Sequence, residues 1–175
     1  HGGDPHAATA DYLQSRPPRW PDPGAVARPD DLQDLAFATV AELSALIHSR
    51  QVSCSELTEL ALARLSRYDD QLHCVITLLP DRARARAREL DRMLDRGQDL
   101  GPLHGIPVSV KDIFGLTGWP TYAGTRRALP EPWAQDGPLV ARARRQLPVF
   151  TGKTHTVEFA FSGLGTNAHW PEPRN

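Results

Sequence analysis

From Thr39 onward the apolar positions of the chain recur at helical spacing. Val40, Leu43, Leu46 and Ile47 fall on one face, and Thr39 with Glu42 has the spacing of a capping box. Ser53 and Glu56 repeat that spacing and open a second helix, whose face carries Leu57, Leu60, Ala61, Leu65 and Tyr68. The polar link between them is short, so the two are expected to pack as a helical hairpin. The apolar run at 72–79 then predicts a strand, which Pro80 and Asp81 end while starting a third helix. In that helix Ala83, Ala87, Leu90 and Leu94 form the stripe to be buried, and Gly97 suits its C-terminal cap.

The period changes in the stretch GPLHGIPVSVKD, residues 101–112. Ile106, Val108 and Val110 alternate with Pro107 and Ser109, which is a strand period. Pro107 has no N–H to donate, so the strand lies at a sheet edge or Pro107 takes its first pairing position. Either arrangement delivers Lys111 to the strand's carboxyl end, where ligands collect in open α/β sheets. Asp136, Gly137 and Pro138 signal another helix, carrying Leu139, Val140 and Ala143, and Val149 with Phe150 predicts a short strand. Strand, helix and strand in that order suggest a right-handed parallel crossover and an α/β fold.

Composition adds an arm and removes several classes of function. Residues 1–35 hold Pro17, Pro18, Pro21, Pro23 and Pro29, so no long helix forms there; the reading is an irregular arm, with Tyr12 and Trp20 as anchors, before a body at 36–175. A chain of 175 residues, 40% hydrophobic and 23% charged, buries one core and is neither disordered nor fibrous. Twenty basic and twenty-one acidic residues leave a formal charge of -1, which gives no field to gather nucleic acid. Arg82, Arg84, Arg86 and Arg88 step by two and scatter around their helix as a solvated face. Cys54 and Cys74 are too far apart for a CxxC pattern and read as thiols of a reducing compartment. No apolar run reaches membrane-span length, so the expected location is the cytoplasm. The histidines, among them His1, His6, His48, His73, His104, His155 and His169, show no ligand spacing; no metal or cofactor is assigned.

Candidate chemistry begins with Lys111. A lysine after a strand is ordinarily a solvated surface residue, so position alone does not make it functional. Gly152, Lys153 and Thr154 imitate a phosphate loop, but the glycine required five residues earlier is Leu147, which excludes that reading. Trp119, Tyr122 and Trp133 lie in a turn-rich passage that either covers the core or lines a pocket. Thr121, Gly124, Thr125 and Asn167 follow strand ends and are expected near a substrate.

The stretches GPLHGIPVSVKD, DGPLVARAR, FTGKTHTVEFAFSGLGTN and PRN, taken in order over 35–175, resemble the first part of the amidase signature family. The resemblance implies the N-terminal part of a mixed-sheet core flanked by helices, preceded here by the irregular arm and the helical hairpin. It also implies an enzyme that hydrolyses or transfers amides through a Ser, cis-Ser, Lys triad, with Lys111 matching the catalytic lysine. A neutral lysine, its pKa lowered by burial, would accept the nucleophile's proton through the bridging serine. Backbone N–H groups of a glycine-rich loop would hold the oxyanion. In the family both serines follow the PRN segment, so the expectation is a truncated chain holding only the lysine. Ser109 and Ser162 lack the family's Gly/Ser-rich context. The turn Gln146, Leu147, Pro148 departs from the small Gly/Ala turn usual in the family. Three outcomes follow from the resemblance: an amidase, an amidotransferase A-type subunit, or a non-catalytic fragment. Trp119, Tyr122 and Trp133, read as pocket residues, favour a small-molecule amide. A homodimer, or a complementing chain that brings the serines, is the expected partner.

Overall fold

A computed structural model describes residues 21–98 and 101–174. The expectations for His1, His6, Tyr12, Trp20, Pro17 and Pro18 fall outside the described residues. A 3-10 turn, Leu32–Phe37, leads into α1 (Val40–His48), α2 (Cys54–Leu72), β1 (Val75–Leu78) and α3 (Pro80–Asp95). β2 (Pro107–Lys111), α4 (Pro138–Arg144) and β3 (Val149–Thr154) follow.

Local signals set the helix starts. Thr39 and Glu42 close one capping box and Ser53 and Glu56 another, each satisfying two backbone donors that a helix start leaves free. Asp91, on α3, reinforces the start of α2, accepting from the Cys54 and Ser55 amides at 2.7 and 3.1 Å. α2 runs on to Leu72, and His73 caps it in the left-handed conformation at φ 50°. The strand expected at 72–79 therefore shortens to Val75–Leu78, because helix propagation and the Asp69 carboxylate, which accepts from the Cys74 and Val75 amides, claim the residues before it.

The predicted stripe of α3 is buried at all four positions, Ala83, Ala87, Leu90 and Leu94. It packs with Leu46, Ile47, Leu57, Leu60, Ile106 and Val149 into the main core. Leu116, Trp119, Val140 and Phe150 make a second cluster on the other side of the sheet. Fully burying side chains of this size contributes about 1.5–3 kcal/mol each.

The sheet has three strands in the order β1-β3-β2, with β1 antiparallel and β2 parallel to the central β3. Both expectations for Pro107 hold: β2 is an edge strand among the described residues, and Pro107 is its first paired residue, opposite Val149. β3 is longer than Val149 and Phe150 alone and reaches Thr154, because it is paired on both sides. Lys111 ends β2 opposite Thr154. The turn before β3 places Leu147 at φ 57°, the left-handed region where a glycine would be unstrained.

Candidate active site

β2 brings Lys111 to the rim of a cleft of about 310 Å³, shared with Cys74, Thr154, His155, Ser162 and Gly165. Among the described residues its ammonium has no hydrogen-bond or ion-pair partner, and the side chain is exposed. The burial expected to make Lys111 neutral is therefore not supplied by these residues. A second groove of about 380 Å³ runs between the Leu32–Phe37 turn, α2 and the sheet, and Pro107, Ser109 and Thr151 form its sheet side. The Lys111 cleft is the better chemical candidate, because it combines an available amine with hydroxyl and imidazole groups.

The buried lysine is Lys153, one register step from Lys111 and opposite Val110. Lys153 and Asp112 are both 0% exposed and form an ion pair at 2.8 Å. Lys153 Nζ also donates to Thr121 Oγ1 at 2.6 Å and to the Pro120 carbonyl at 3.0 Å. Burial pushes the ammonium of Lys153 below the ordinary lysine pKa, while its hydrogen bond and charge contact with Asp112 oppose that shift. Three oxygens around a three-proton ammonium leave Lys153 nothing to offer a substrate.

Asp112 is the hub on the other side of this pair. Its Oδ2 accepts from the Tyr122 and Ala123 amides, both at 3.0 Å, and its own amide donates to the Thr154 carbonyl at 3.0 Å. Sequence reasoning missed Lys153 and Asp112 as a unit. The one signal was Lys153 lying three residues after the strand predicted at Val149 and Phe150; once that strand extends, the buried lysine requires a counter-charge.

Three of the four expected substrate neighbours carry internal structural bonds. Thr121 is wholly buried and accepts from Lys153. Asn167 donates to the Gly124 and Thr156 carbonyls at 2.8 and 3.1 Å, so its amide clips two loops together. Thr125 donates to the Tyr122 and Arg127 carbonyls, and its own carbonyl accepts from Trp170. The fourth, Gly124, is buried at φ 78° and packs against Val157 and Glu158, where a Cβ would have 2.6 Å to the Glu158 nitrogen. None of the four lines the Lys111 cleft, although Thr156, which Asn167 holds, does. Of the aromatic residues, Trp119 is 5% exposed in the second core cluster, Tyr122 meets Trp170 edge-on at 5.2 Å, and Trp133 is exposed. Of the three, Trp119 covers the core.

Among the described residues no group of three or more His, Cys, Asp or Glu could hold a metal ion, and no helix is long and apolar enough to cross a membrane. Both cysteines are free thiols.

Comparison with known proteins agrees with this architecture. The chain is 49% identical over 140 residues to a 2-amino-5-chloromuconic acid deaminase of Comamonas testosteroni, covering 80% of this chain and 30% of that protein. It is 35% identical over 146 residues to the A-type subunit of a glutamyl-tRNA(Gln) amidotransferase of Acidothermus cellulolyticus, covering 82% of this chain and 28% of the relative. The structure superposes on a peptide amidase of Stenotrophomonas maltophilia with a TM-score of 0.71 at 30% identity, over 82% of this chain and 31% of that one. The chain thus spans about 30% of the length of the curated relatives it matches. The family described as Amidase matches residues 56–175, and the chain belongs to it.

Proposed function

We propose that this chain forms the lysine-bearing part of an enzyme that hydrolyses a carboxylic amide through a Ser, cis-Ser, Lys triad. One observation carries the reading: Lys111 stands uncommitted at the carboxyl end of β2, on an open cleft, in a chain of the amidase family. Lys153 supports it by elimination, since the only other lysine of the chain is buried and bonded to three oxygens.

In this mechanism neutral Lys111 draws a proton from the bridging serine, which takes one from the nucleophilic serine as that oxygen attacks the amide carbon. The C–N bond breaks, the amine or ammonia leaves with a proton, and water cleaves the acyl-enzyme. The family resemblance puts the two serines in a Gly/Ser-rich segment that follows the PRN segment, and backbone N–H groups of a glycine-rich loop would hold the oxyanion. Their packing over Lys111 would also supply the desolvation that makes the amine neutral.

The relatives set the first substrates to try. The deaminase relative at 49% identity favours ammonia as the released group, whereas the amidotransferase relative at 35% identity supports transfer of ammonia within a complex. The test is ammonia release by the full-length protein from propionamide, benzamide, a C-terminal peptide amide and glutamine. Release from any of the first three supports the amidase reading. Turnover of glutamine alone, dependent on a partner chain, supports the amidotransferase reading; no release from any compound contradicts both.

A further inference from the structure

We propose that the buried Lys153–Asp112 ion pair is a positioning device for the catalytic lysine, fixing the backbone that carries Lys111 against the wall of its cleft. The inference rests on the reading of Lys111 as the base.

Stability is a poor explanation for this pair. Removing two charges from water costs several kcal/mol per ion, and apolar residues of similar volume often hold a core equally well. Its placement is more specific. Asp112 directly follows Lys111, and it is held from three sides: by Lys153 at 2.8 Å, by the Thr154 carbonyl at 3.0 Å, and by the Tyr122 and Ala123 amides at 3.0 Å. The Lys111 carbonyl is fixed as well, accepting from the Phe114 amide at 3.0 Å.

A chain of bonds also leads from this segment to Thr156, another residue lining the cleft. The segment anchored by Asp112 continues to Gly124, whose carbonyl accepts from Asn167 Nδ2; that nitrogen also donates to the Thr156 carbonyl. The Ala123 carbonyl accepts from the Phe159 amide at 2.7 Å. Thr156 lines the cleft with Lys111. One ion pair is therefore linked both to the base and to a second lining residue of its cleft, and a displacement of about 1 Å in such a geometry costs about a hundredfold in rate.

The experiment measures kcat and KM of the full-length protein on whichever of propionamide, benzamide or the peptide amide it hydrolyses fastest. The variants are Asp112→Asn with Lys153→Met, Thr121→Val, Thr121→Ser and Lys111→Ala, each checked for folding by its thermal midpoint. The double variant removes both charges together. It is expected to melt near the unsubstituted protein yet to lose about a hundredfold in kcat, with KM changed less than about threefold. Thr121→Val removes one acceptor of Lys153 and is expected to lose about tenfold in kcat, and Thr121→Ser is expected to restore it. A folded double variant with unsubstituted kcat overturns the inference. Should the double variant not fold, Thr121→Val decides alone, and unchanged kcat there overturns it. Normal turnover by Lys111→Ala sinks the underlying reading whatever the pair does; loss at Lys111 with full activity in the other variants sinks only the positioning role.

Discussion

Asp136 grips Arg144 with both carboxylate oxygens, at 2.6 and 2.9 Å, tying the residue before the α4 cap to the end of that helix. The Arg144 hydrogen bonds hold the Asp136 pKa at about 2 against an ordinary 3.8, with help from the Thr117 amide at 2.7 Å and against the opposing effect of burial. The folded pKa lies below the unfolded one, so the contribution is full above about pH 4 and is lost as pH falls through about 2. Asp136→Asn is expected to cost about 1–2 kcal/mol at pH 7 and almost nothing near pH 2. Urea unfolding at the two pH values checks it; an equal cost at both would refute the linkage.

Gly105 sits at φ 75° against the start of α2. A Cβ there would overlap the Cys54 sulfur and come within 2.9 Å of the Cys54 Cβ, while Cys54 itself is wholly buried. Gly105→Ala combines backbone strain with overpacking and is expected to destabilise the fold by more than about 2 kcal/mol. A thermal midpoint unchanged by the substitution would show that this approach has slack.

Asp91 acts as a cap supplied from another helix. It accepts from the Cys54 and Ser55 amides and from the Ser55 hydroxyl at 2.5 Å, where the positive end of the α2 dipole favours a carboxylate. Asp91→Ala is expected to cost about 2 kcal/mol, and Asp91→Asn less, because it keeps one acceptor. Equal stabilities of the two variants would show that the acceptor kept by Asn contributes nothing and would contradict the expected order.

Features set by neighbouring residues were legible in the sequence. The capping boxes at Thr39 and Ser53 involve residues three apart, and the buried stripe of α3 follows from helical period alone. The missing N–H of Pro107 limited β2 to an edge or to a start at Pro107, and both hold among the described residues. What depends on tertiary partners was not legible. Lys153 and Thr121 meet only because β3 passes under the 120–123 loop, and the local string Gly152, Lys153, Thr154 advertised a different chemistry. Thr121, Gly124, Thr125 and Asn167 do gather in one region, but the direction of each side chain, turned into bonds between loops, is fixed by packing.

Whether Lys111 is the base for acyl-enzyme formation can be read from the intact mass of the full-length protein, quenched at short times after mixing with an amide it hydrolyses. The unsubstituted protein and Lys111→Ala are compared. A lysine base predicts an added acyl mass in the first. In the second it predicts a folded protein whose acylation is slower by about a hundredfold or more. An acyl adduct forming at the same rate in Lys111→Ala would contradict it.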